Sequence, residues 1–337
     1  MSESKGVGVG LVGCGAIAQL VHLPILSTMK DVHVAAVCDQ NLPKAKTVAV
    51  RFGVGTAYGA IEEMLEHPDL DALIICTPNY LHASHAEMAL EAGLDVLCER
   101  PLGLDPQQVA KTLAVAEQAR RSLMVANNHR FRPDAWALRS SIAKGDLGEI
   151  FHLQASWHLR RARRPRVSEW RRIRERGGGV LMDLGVTNLD LSLWLLDYPA
   201  AERLTAYLLD HDDDGVDDAA VILIRLGDKL TCSVDVSWDL AAVDDRHMLM
   251  ALGSRGFGSL SPFVVHKEAA GRIVNVTPRL APGTENVYRA SYRRELDYFL
   301  GVVQGKREEP LPREQVTLLR IVDACFRSAQ EGREITL

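Results

Sequence analysis

Short, continuous apolar runs alternate with helical patterns over the first 126 residues of this 337-residue chain. Unbroken apolar runs are typical of strands that are buried on both faces. Strands are expected at residues 7–12, 32–38, 72–76, 96–98 and 123–126. Helices are expected at residues 16–29, 43–52 and 81–92, and after the Asp105-Pro106 pair. Strands spaced by helices predict a parallel sheet covered on both faces, in a first α/β domain of residues 1–126.

The pattern changes after the Gly145-Asp146-Leu147-Gly148 turn. Strands are expected to begin near residues 150, 203, 219, 230, 248 and 264. Turn-like connections at Gly227-Asp228 and Gly271 predict that neighbouring strands run antiparallel. Two amphipathic helices, at 288–304 and 313–330, close the chain, and Gly332 follows the second as a C-cap. A second domain, residues 127–337, is therefore expected to contain a mostly antiparallel sheet.

Composition agrees with a two-domain globular protein, since 47% of residues are apolar and 25% are charged. With a net charge of −5, no nucleic-acid or acidic-membrane partner is expected. No apolar run approaches the roughly 18 residues of a membrane span, and the first residues show no secretory signal. The six cysteines form no CxxC pair. We therefore expect a cytoplasmic protein with reduced cysteines and no metal site.

A glycine-rich turn directly follows the first predicted strand and opens a helix. Gly13 permits a tight turn, Gly15 lets the backbone approach a pyrophosphate, and Ala18 allows close packing of helix on strand. Free amides at the start of the helix would face the phosphates. Asp39 ends the second strand, where a carboxylate can accept hydrogen bonds from adenosine ribose hydroxyls and repel a 2′-phosphate. Because no basic residue follows before Lys44, the pattern predicts NAD rather than NADP.

Further motifs follow in order along the chain. They are CTPNYLH at 76–82, AGLDVLCERPL at 92–102, NHRFRP at 128–133, WR at 170–171, GGGVLMDLG at 177–185 followed by Asp190, and SAQEGR at 328–333. As a set they resemble the family of glucose–fructose oxidoreductase, inositol dehydrogenase and MocA (Gfo/Idh/MocA), over essentially the whole chain. The resemblance implies a Rossmann domain and an α/β domain with a large, open, mostly antiparallel sheet. It also implies an NAD(H)-dependent oxidoreductase that acts on a secondary alcohol or carbonyl of a sugar or cyclitol, and forms homodimers or homotetramers through that sheet.

The motifs and the resemblance also assign roles to individual residues. Cofactor contacts are expected from Gly13, Gly15, Ala16, Ile17, Asp39, Thr77, Pro78, Asn79, His82, Glu99, Arg100 and Asn128. Substrate contacts are expected from Arg130, Trp170, Arg171, Asp183, Thr187 and Asn188. For His82 the alternative is that it only caps or packs the helix that it begins. For Trp170 the alternative is that it anchors a loop instead of covering the cofactor.

Two positions differ from the family where its chemistry takes place. The family usually has Glu-Lys-Pro with the lysine near the reacting oxygen, whereas this chain has Arg100. The family also usually places a histidine four residues after Asp183, where this chain has Thr187. Oxidising an alcohol requires a group that accepts the hydroxyl proton, and threonine is not a base at pH 7. Arginine stays protonated, although it can stabilise an alkoxide, so we expect an atypical catalytic site with slow or absent turnover of common sugars.

Three interpretations of the altered site stay open. In the first, Asp183 accepts the proton, Arg100 stabilises the alkoxide and Thr187 acts as a hydrogen-bonding relay. In the second, His129 or His158 reaches the site from another element. In the third, the chain has lost ordinary dehydrogenase activity and acts in regulation, binding or non-redox chemistry, as the yeast galactose repressor of this family does.

The segment from Arg160 to Arg176 contains nine arginines and two glutamates, a local charge of +7. In the family that the chain resembles, this connection borders the substrate cleft. The cluster predicts an anionic small-molecule substrate, such as a sugar phosphate, a nucleotide-sugar or a carboxylate, held by bidentate hydrogen bonds. The alternative is a solvated loop or a salt-bridge surface between subunits. Nucleic acid is not expected, because no known nucleic-acid reading motif accompanies the charge.

Overall fold

The structure, a computed structural model, describes residues 6–161, 168–211, 215–280 and 286–337. The chain divides into two compact units, each built from two segments. The first unit combines Met1–Asn128 with Tyr288–Val316, and the second combines His129–Val287 with Thr317–Leu337. Each unit has a sheet of its own.

The segment Tyr288–Val316 belongs by its contacts to the first unit, whereas the sequence assigned all of residues 127–337 to the second domain. Its side chains explain this grouping. Ser291 accepts a hydrogen bond from Asn128 at 3.0 Å, and Arg313 donates one to Glu117 at 3.1 Å. The domain boundary at residue 126 stays a prediction.

The first unit is built on a six-stranded parallel sheet. Its strands are β1 (Val7–Val12), β2 (Val32–Cys38), β3 (Thr56–Tyr58), β4 (Ala72–Ile75), β5 (Asp95–Glu99) and β6 (Leu123–Ala126). Their order is β3-β2-β1-β4-β5-β6, and every neighbouring pair runs parallel. The order reverses between β1 and β4, so the loops after these two strands flank the crevice where sheets of this kind bind ligands.

Five helices connect these strands. They are α1 (Leu23–Leu26), α2 (Leu42–Phe52), α3 (Ile61–Leu65), α4 (His82–Glu91) and α5 (Pro106–Ala119). The single helix predicted at residues 16–29 is wrong, because Ala18–His22 forms a π-helical turn and α1 ends at Leu26. Pro24 has no amide hydrogen to donate, which fits the change of hydrogen-bond pattern at this point.

The second unit holds the other sheet. Its strands in this part of the chain are β7 (Ile150–Arg160), β8 (Ala201–Leu209), β9 (Ala219–Leu226), β10 (Leu230–Leu240), β11 (Arg246–Gly253), β12 (Gly256–Leu260), β13 (Val264–Ala269) and β14 (Arg272–Asn275). Its helices there are α6 (Pro133–Ala143) and α7 (Val186–Trp194). The chain closes with α8 (Val287–Val303), α9 (Glu314–Glu331) and β15 (Ile335–Thr336). Among the described residues, no helix has both the length and the apolar character that crossing a bilayer requires.

The nine strands of this sheet are arranged β14-β13-β12-β11-β7-β10-β9-β8-β15. β7 and β10 run parallel, and the other described pairs run antiparallel, which confirms the predicted mostly antiparallel sheet. Its two faces differ sharply. On β9, Ile222 and Ile224 are fully buried, whereas Val221 and Leu223 are 47% and 54% exposed. Since side chains alternate along a strand, one face belongs to the core and the other is open.

Candidate functional site

The turn after β1 is built around Gly13. Its φ of +93° lies in the left-handed region, and a Cβ there would lie 2.6 Å from the carbonyl of Cys76. Only glycine fits such a position. A Cβ on Gly15 would meet nothing within 4 Å, so the turn is open on that side. Ala16 is exposed and Ile17 half-buried beside it. The turn thus leaves the space that a pyrophosphate needs.

Asp39 lies at the carboxyl end of β2 and is 7% exposed. Its carboxylate accepts the amides of Cys14 and Asn41, each at 2.9 Å. Lys44 also contacts it, with its Nζ 2.6 Å from Asp39 Oδ2. The side chain of Asn41 caps α2 by accepting the Lys44 amide at 3.1 Å, and this tight start brings the lysine back over the strand end. The sequence pattern gave the position of Lys44 but did not predict its contact with Asp39.

Thr77, Pro78 and Asn79 form the loop after β4. Asn79 is buried, and the other two are half-buried. The loop is fixed by His82, whose Nε2 lies 2.7 Å from the Thr77 carbonyl oxygen and whose Nδ1 lies 2.7 Å from that of Pro101. His82 is 1% exposed, and both of its ring nitrogens contact backbone carbonyl oxygens. This geometry favours the alternative that His82 packs its helix, and its direct contact with a cofactor stays a prediction.

Glu99 ends β5 and is held by a histidine that sequence reasoning missed. His22, which is fully buried, lies with its Nε2 2.7 Å from Glu99 Oε1. Burial opposes ionisation of Glu99, but the hydrogen bond and charge of His22, with the charges of Arg100 and His82, lower its pKa. Tyr292 of α8 packs edge-on against the His22 ring, with 5.6 Å between ring centroids. Glu99 is thus held as a carboxylate at the end of β5, where the nicotinamide ribose is expected.

Asp183 lies in the π-helical turn Leu181–Gly185 of the second unit. Its Oδ2 accepts the indole N–H of Trp238 at 3.2 Å, and its Oδ1 lies 3.8 Å from Arg171 Nε. The Arg171 guanidinium in turn stacks on the Trp170 ring at 4.6 Å. The structure therefore brings together three of the predicted substrate residues and adds Trp238. No sequence motif marked Trp238, because it reaches Asp183 from β10.

The triple glycine before Asp183 is shaped by Asp217. The Leu181 amide donates to Asp217 Oδ2 at 2.7 Å, and the Val180 amide donates to the Asp217 carbonyl at 2.8 Å. Gly179 has a φ of +101°, and a Cβ there would lie 2.3 Å from Asp217 Oδ1. Burial raises the pKa of Asp217, although its hydrogen bond from Leu181 acts in the opposite direction. Asp217 thus holds the turn that presents Asp183.

The remaining predicted substrate residues make hydrogen bonds within the second unit. Thr187 donates to the Asp183 carbonyl and Asn188 to the Leu184 carbonyl, both at 3.3 Å along the helix. Arg130 makes two hydrogen bonds to Asp190, at 2.6 and 2.8 Å. Substrate contact by these three side chains stays a prediction.

His158 is on the wrong face of the sheet to act beside Asp183. Its Nε2 lies 3.1 Å from Asp235 Oδ1, and Asp235 is exposed on the open face of β10. Trp238, which contacts Asp183, lies on the buried face of the same strand. The proposal that His158 supplies the missing base is therefore wrong, because strand alternation separates the two faces.

His129 is buried among aromatic rings. Its ring centroid lies 5.3 Å from that of Trp157 and 5.4 Å from that of His247. Burial lowers the pKa of His247 to about 4, so this neighbouring ring is neutral at pH 7. The surroundings of His129 are those of a packed core histidine, and a catalytic role for it stays a prediction.

The described arginines of the Arg160–Arg176 cluster bond to their own chain. Arg161 holds Asp239 with two hydrogen bonds of 2.6 and 3.1 Å. Arg160 donates to the Val243 carbonyl at 2.9 Å, and Arg174 to the Gly215 carbonyl at 3.4 Å. Arg163, Arg164 and Arg166 lie outside the described residues.

Comparison with known families gives two matches that together cover most of the chain. The oxidoreductase family's NAD-binding Rossmann fold matches residues 7–127, and its C-terminal alpha/beta domain matches residues 139–337. The chain belongs to the Gfo/Idh/MocA oxidoreductase family. The nicotinamide cofactor predicted from the Gly13 turn and Asp39 is therefore confirmed as NAD at the level of the domain.

Individual relatives of this Gfo/Idh/MocA protein match over their whole length. D-glucoside 3-dehydrogenase of Escherichia coli is 27% identical over 99% of this chain and 98% of the relative. Inositol 2-dehydrogenase of Rhizobium meliloti is 28% identical over 98% of this chain and 99% of the relative. The fold is that of scyllo-inositol dehydrogenase from Lactobacillus casei, solved with NAD(H) and scyllo-inositol, with a TM-score of 0.84, 18% identity and coverage of 98% and 99%.

Proposed function

We propose that this oxidoreductase is an NAD(H)-dependent dehydrogenase that interconverts a secondary alcohol and a carbonyl on a neutral sugar or cyclitol. The names of its curated relatives support this substrate class, since one acts on a D-glucoside and the other on an inositol. The single observation that carries the proposal is the Asp39 carboxylate beside the open Gly13–Gly15 turn, because it fits adenosine and pyrophosphate of NAD.

The first unit supplies the proposed cofactor contacts. Bound NAD would supply a hydride acceptor for the alcohol carbon. Thr77, Pro78 and Asn79 would hold the nicotinamide ribose from the loop after β4. Glu99, kept as a carboxylate by His22, would accept a hydrogen bond from a ribose hydroxyl. Arg100 would stabilise negative charge on the reacting oxygen without exchanging a proton.

We assign the proton acceptor to Asp183. The indole N–H of Trp238 and the Arg171 guanidinium orient its carboxylate from two sides. The Thr187 hydroxyl donates to the Asp183 carbonyl, so Thr187 supports the turn and adds no base. A free aspartate has a pKa near 3.9 and a free histidine near 6.5, so an aspartate is the weaker base at pH 7. The proposal therefore includes slow turnover.

We favour a neutral substrate over an anionic one. Arg161 donates hydrogen bonds to a carboxylate of its own chain. Arg160 and Arg174 donate to backbone carbonyls. A sugar phosphate would have to compete with these partners for each guanidinium. The described part of the cluster thus supports a structural role for these arginines.

The test is a substrate panel in which NADH formation is followed by absorbance. Glucosides, inositols and their phosphorylated counterparts would be compared at low and high salt, with NAD in excess. We expect slow turnover of a neutral polyol with little salt dependence. Turnover confined to a phosphorylated sugar, weakened by salt, would contradict the neutral substrate. If no panel member is turned over but one of them changes NAD affinity, the non-redox alternative is supported.

The open face of the second unit's sheet is the proposed oligomer interface. Tyr207 on β8 lies directly opposite Val221 on β9, and the two are 65% and 47% exposed. Leu209 and Leu223 extend the same face, at 47% and 54% exposure. A contiguous apolar patch on adjacent strands is typical of an interaction surface. A second copy of the same face would cover it in a homodimer or homotetramer.

A further inference from the structure

His82 makes two short contacts of the same kind. It is the first residue of α4 and is 1% exposed. Its Nε2 lies 2.7 Å from the carbonyl oxygen of Thr77, and its Nδ1 lies 2.7 Å from the carbonyl oxygen of Pro101. Both distances are within the range of strong hydrogen bonds.

The chemistry of these partners fixes the protonation state. A carbonyl oxygen can only accept a hydrogen bond, and a neutral imidazole carries a single N–H. In either neutral tautomer, one ring nitrogen would therefore point a lone pair at a carbonyl oxygen 2.7 Å away. Only the imidazolium, with two N–H groups, makes both contacts favourable.

We propose that His82 is a buried imidazolium that positions the two loops at the nicotinamide end of the NAD site. Thr77 lies in the loop after β4, and Pro101 belongs to the loop after β5. One cation therefore ties together two segments that come from different strands. His82 is a positioning residue in this account, and the inference rests on the proposed placement of the nicotinamide ribose on these loops.

The charges around His82 act in both directions. The positive charge of His82 contributes to lowering the pKa of Glu99 on β5, although His22 and Arg100 act on the same carboxylate more strongly. His85 lies one turn further along α4, where burial, followed by the charge of His82, lowers its pKa to about 4. His85 is therefore neutral at pH 7 and adds no repulsion. The start of α4 disfavours a cation, so the two carbonyls and Glu99 must outweigh the helix dipole.

Loss of the proton would release one loop. A neutral His82 keeps a hydrogen bond to one carbonyl and repels the other, so Thr77 and Pro101 are no longer held by a common partner. NAD affinity should then fall as pH rises through the deprotonation of His82. A glutamine in its place cannot reproduce the tie, because its two N–H groups share one nitrogen atom.

The experiment combines nitrogen NMR with cofactor binding on the full chain. Ring nitrogens of ¹⁵N-histidine-labelled protein would be titrated, and the His82 signals assigned by their loss in His82→Gln. We expect both nitrogens of His82 to be protonated at pH 7.5, where a free imidazole, with a pKa near 6.5, is mostly neutral. NAD affinity, measured by calorimetry, should fall about 10-fold in His82→Gln and lose its pH dependence. His33→Gln is the control and should bind NAD like the wild type.

The outcomes separate the inference from the proposed function. A neutral tautomer of His82 at pH 7.5 would overturn the inference, even if the enzyme is an active dehydrogenase. A doubly protonated His82 whose replacement leaves NAD affinity unchanged would overturn the positioning role. If His82→Gln does not fold, His82→Asn is used to assign the His82 signals, and the wild-type titration then decides. NAD affinity that falls together with deprotonation of His82 supports the tie, and affinity that stays constant through it overturns it.

Discussion

At the scale of single residues, the negative charge of Asp39 is shared between two backbone amides and Lys44. A carboxylate in this position discriminates against NADP because it repels the 2′-phosphate of that cofactor. Lys44 partly offsets the repulsion, since its Nζ is 2.6 Å away and its side chain is 42% exposed. The protein should therefore bind NAD more tightly than NADP without excluding NADP.

Lys44→Ala is expected to increase the preference for NAD over NADP by about 10-fold, a change of about 1.4 kcal/mol. The reason is that a 2′-phosphate would meet the Asp39 charge without a neighbouring cation. Calorimetric titration of both variants with both cofactors measures this. Lys46→Ala, on the same helix and also exposed, is the control. A preference that shrinks in Lys44→Ala would show that the lysine holds Asp39 in its NAD-binding position.

Residue by residue, the sequence predicted the groups that motifs mark and missed their partners. Gly13 and Asp39 could be found because their spacing follows from the geometry of a strand, a turn and a helix. His22 and Trp238 could not, because each contacts its carboxylate from an element that no motif links to it. Their roles depend on packing between distant parts of the chain.

At the scale of elements, the turn that presents Asp183 depends on Gly179. Gly179→Ala should lower the free energy of unfolding by about 2 kcal/mol or more, because the methyl group would lie 2.3 Å from Asp217 Oδ1. Gly145→Ala is the matched control, since Gly145 has a positive φ but open space around it, and should cost about 1 kcal/mol. Urea denaturation followed by circular dichroism measures both. Equal costs would show that backbone conformation, and not the contact with Asp217, accounts for the effect.

Asp217 also predicts a pH dependence of stability. Its pKa in the folded protein is raised, mainly by burial, so the folded state binds this proton more tightly than the unfolded state. Its contribution is therefore present below the unfolded pKa and is lost as pH rises through the folded pKa. Asp217→Asn, which keeps an acceptor for the Leu181 amide, should remove this loss. Thermal unfolding across acidic to neutral pH should show a smaller decline in Asp217→Asn, and an unchanged decline would contradict the assignment.

Elements with a clear apolar pattern were predictable, whereas very short ones and the irregular helix at residues 16–29 were not. The strand at residues 123–126 and the closing helices agree with the structure to within a residue or two. β3 and α3 were missed, because three and five residues are too few to show a period. The open alternative of His158 could not be decided from the sequence, because strand register decides which face of the sheet a side chain occupies.

At the scale of the whole molecule, the open sheet face predicts the assembly state. Val221→Arg places a charge opposite Tyr207 at the centre of the apolar patch, and should convert an oligomer to monomers. Val50→Arg is the control, because Val50 on α2 is 84% exposed outside this sheet. Sedimentation velocity distinguishes the forms. A wild type that is monomeric, or a Val221→Arg oligomer, would contradict the proposed interface.

The central claim is that this family member transfers hydride to NAD with Asp183 as its proton acceptor. The most direct measurement is stopped-flow absorbance of NADH formation on the polyol that the panel identifies. We predict a slow wild-type rate that falls about 100-fold or more in Asp183→Asn and rises when Arg100→Lys is combined with Thr187→His. Asp228→Asn, in the exposed turn between β9 and β10, should keep the wild-type rate. A brisk wild-type rate that survives in Asp183→Asn would contradict the account.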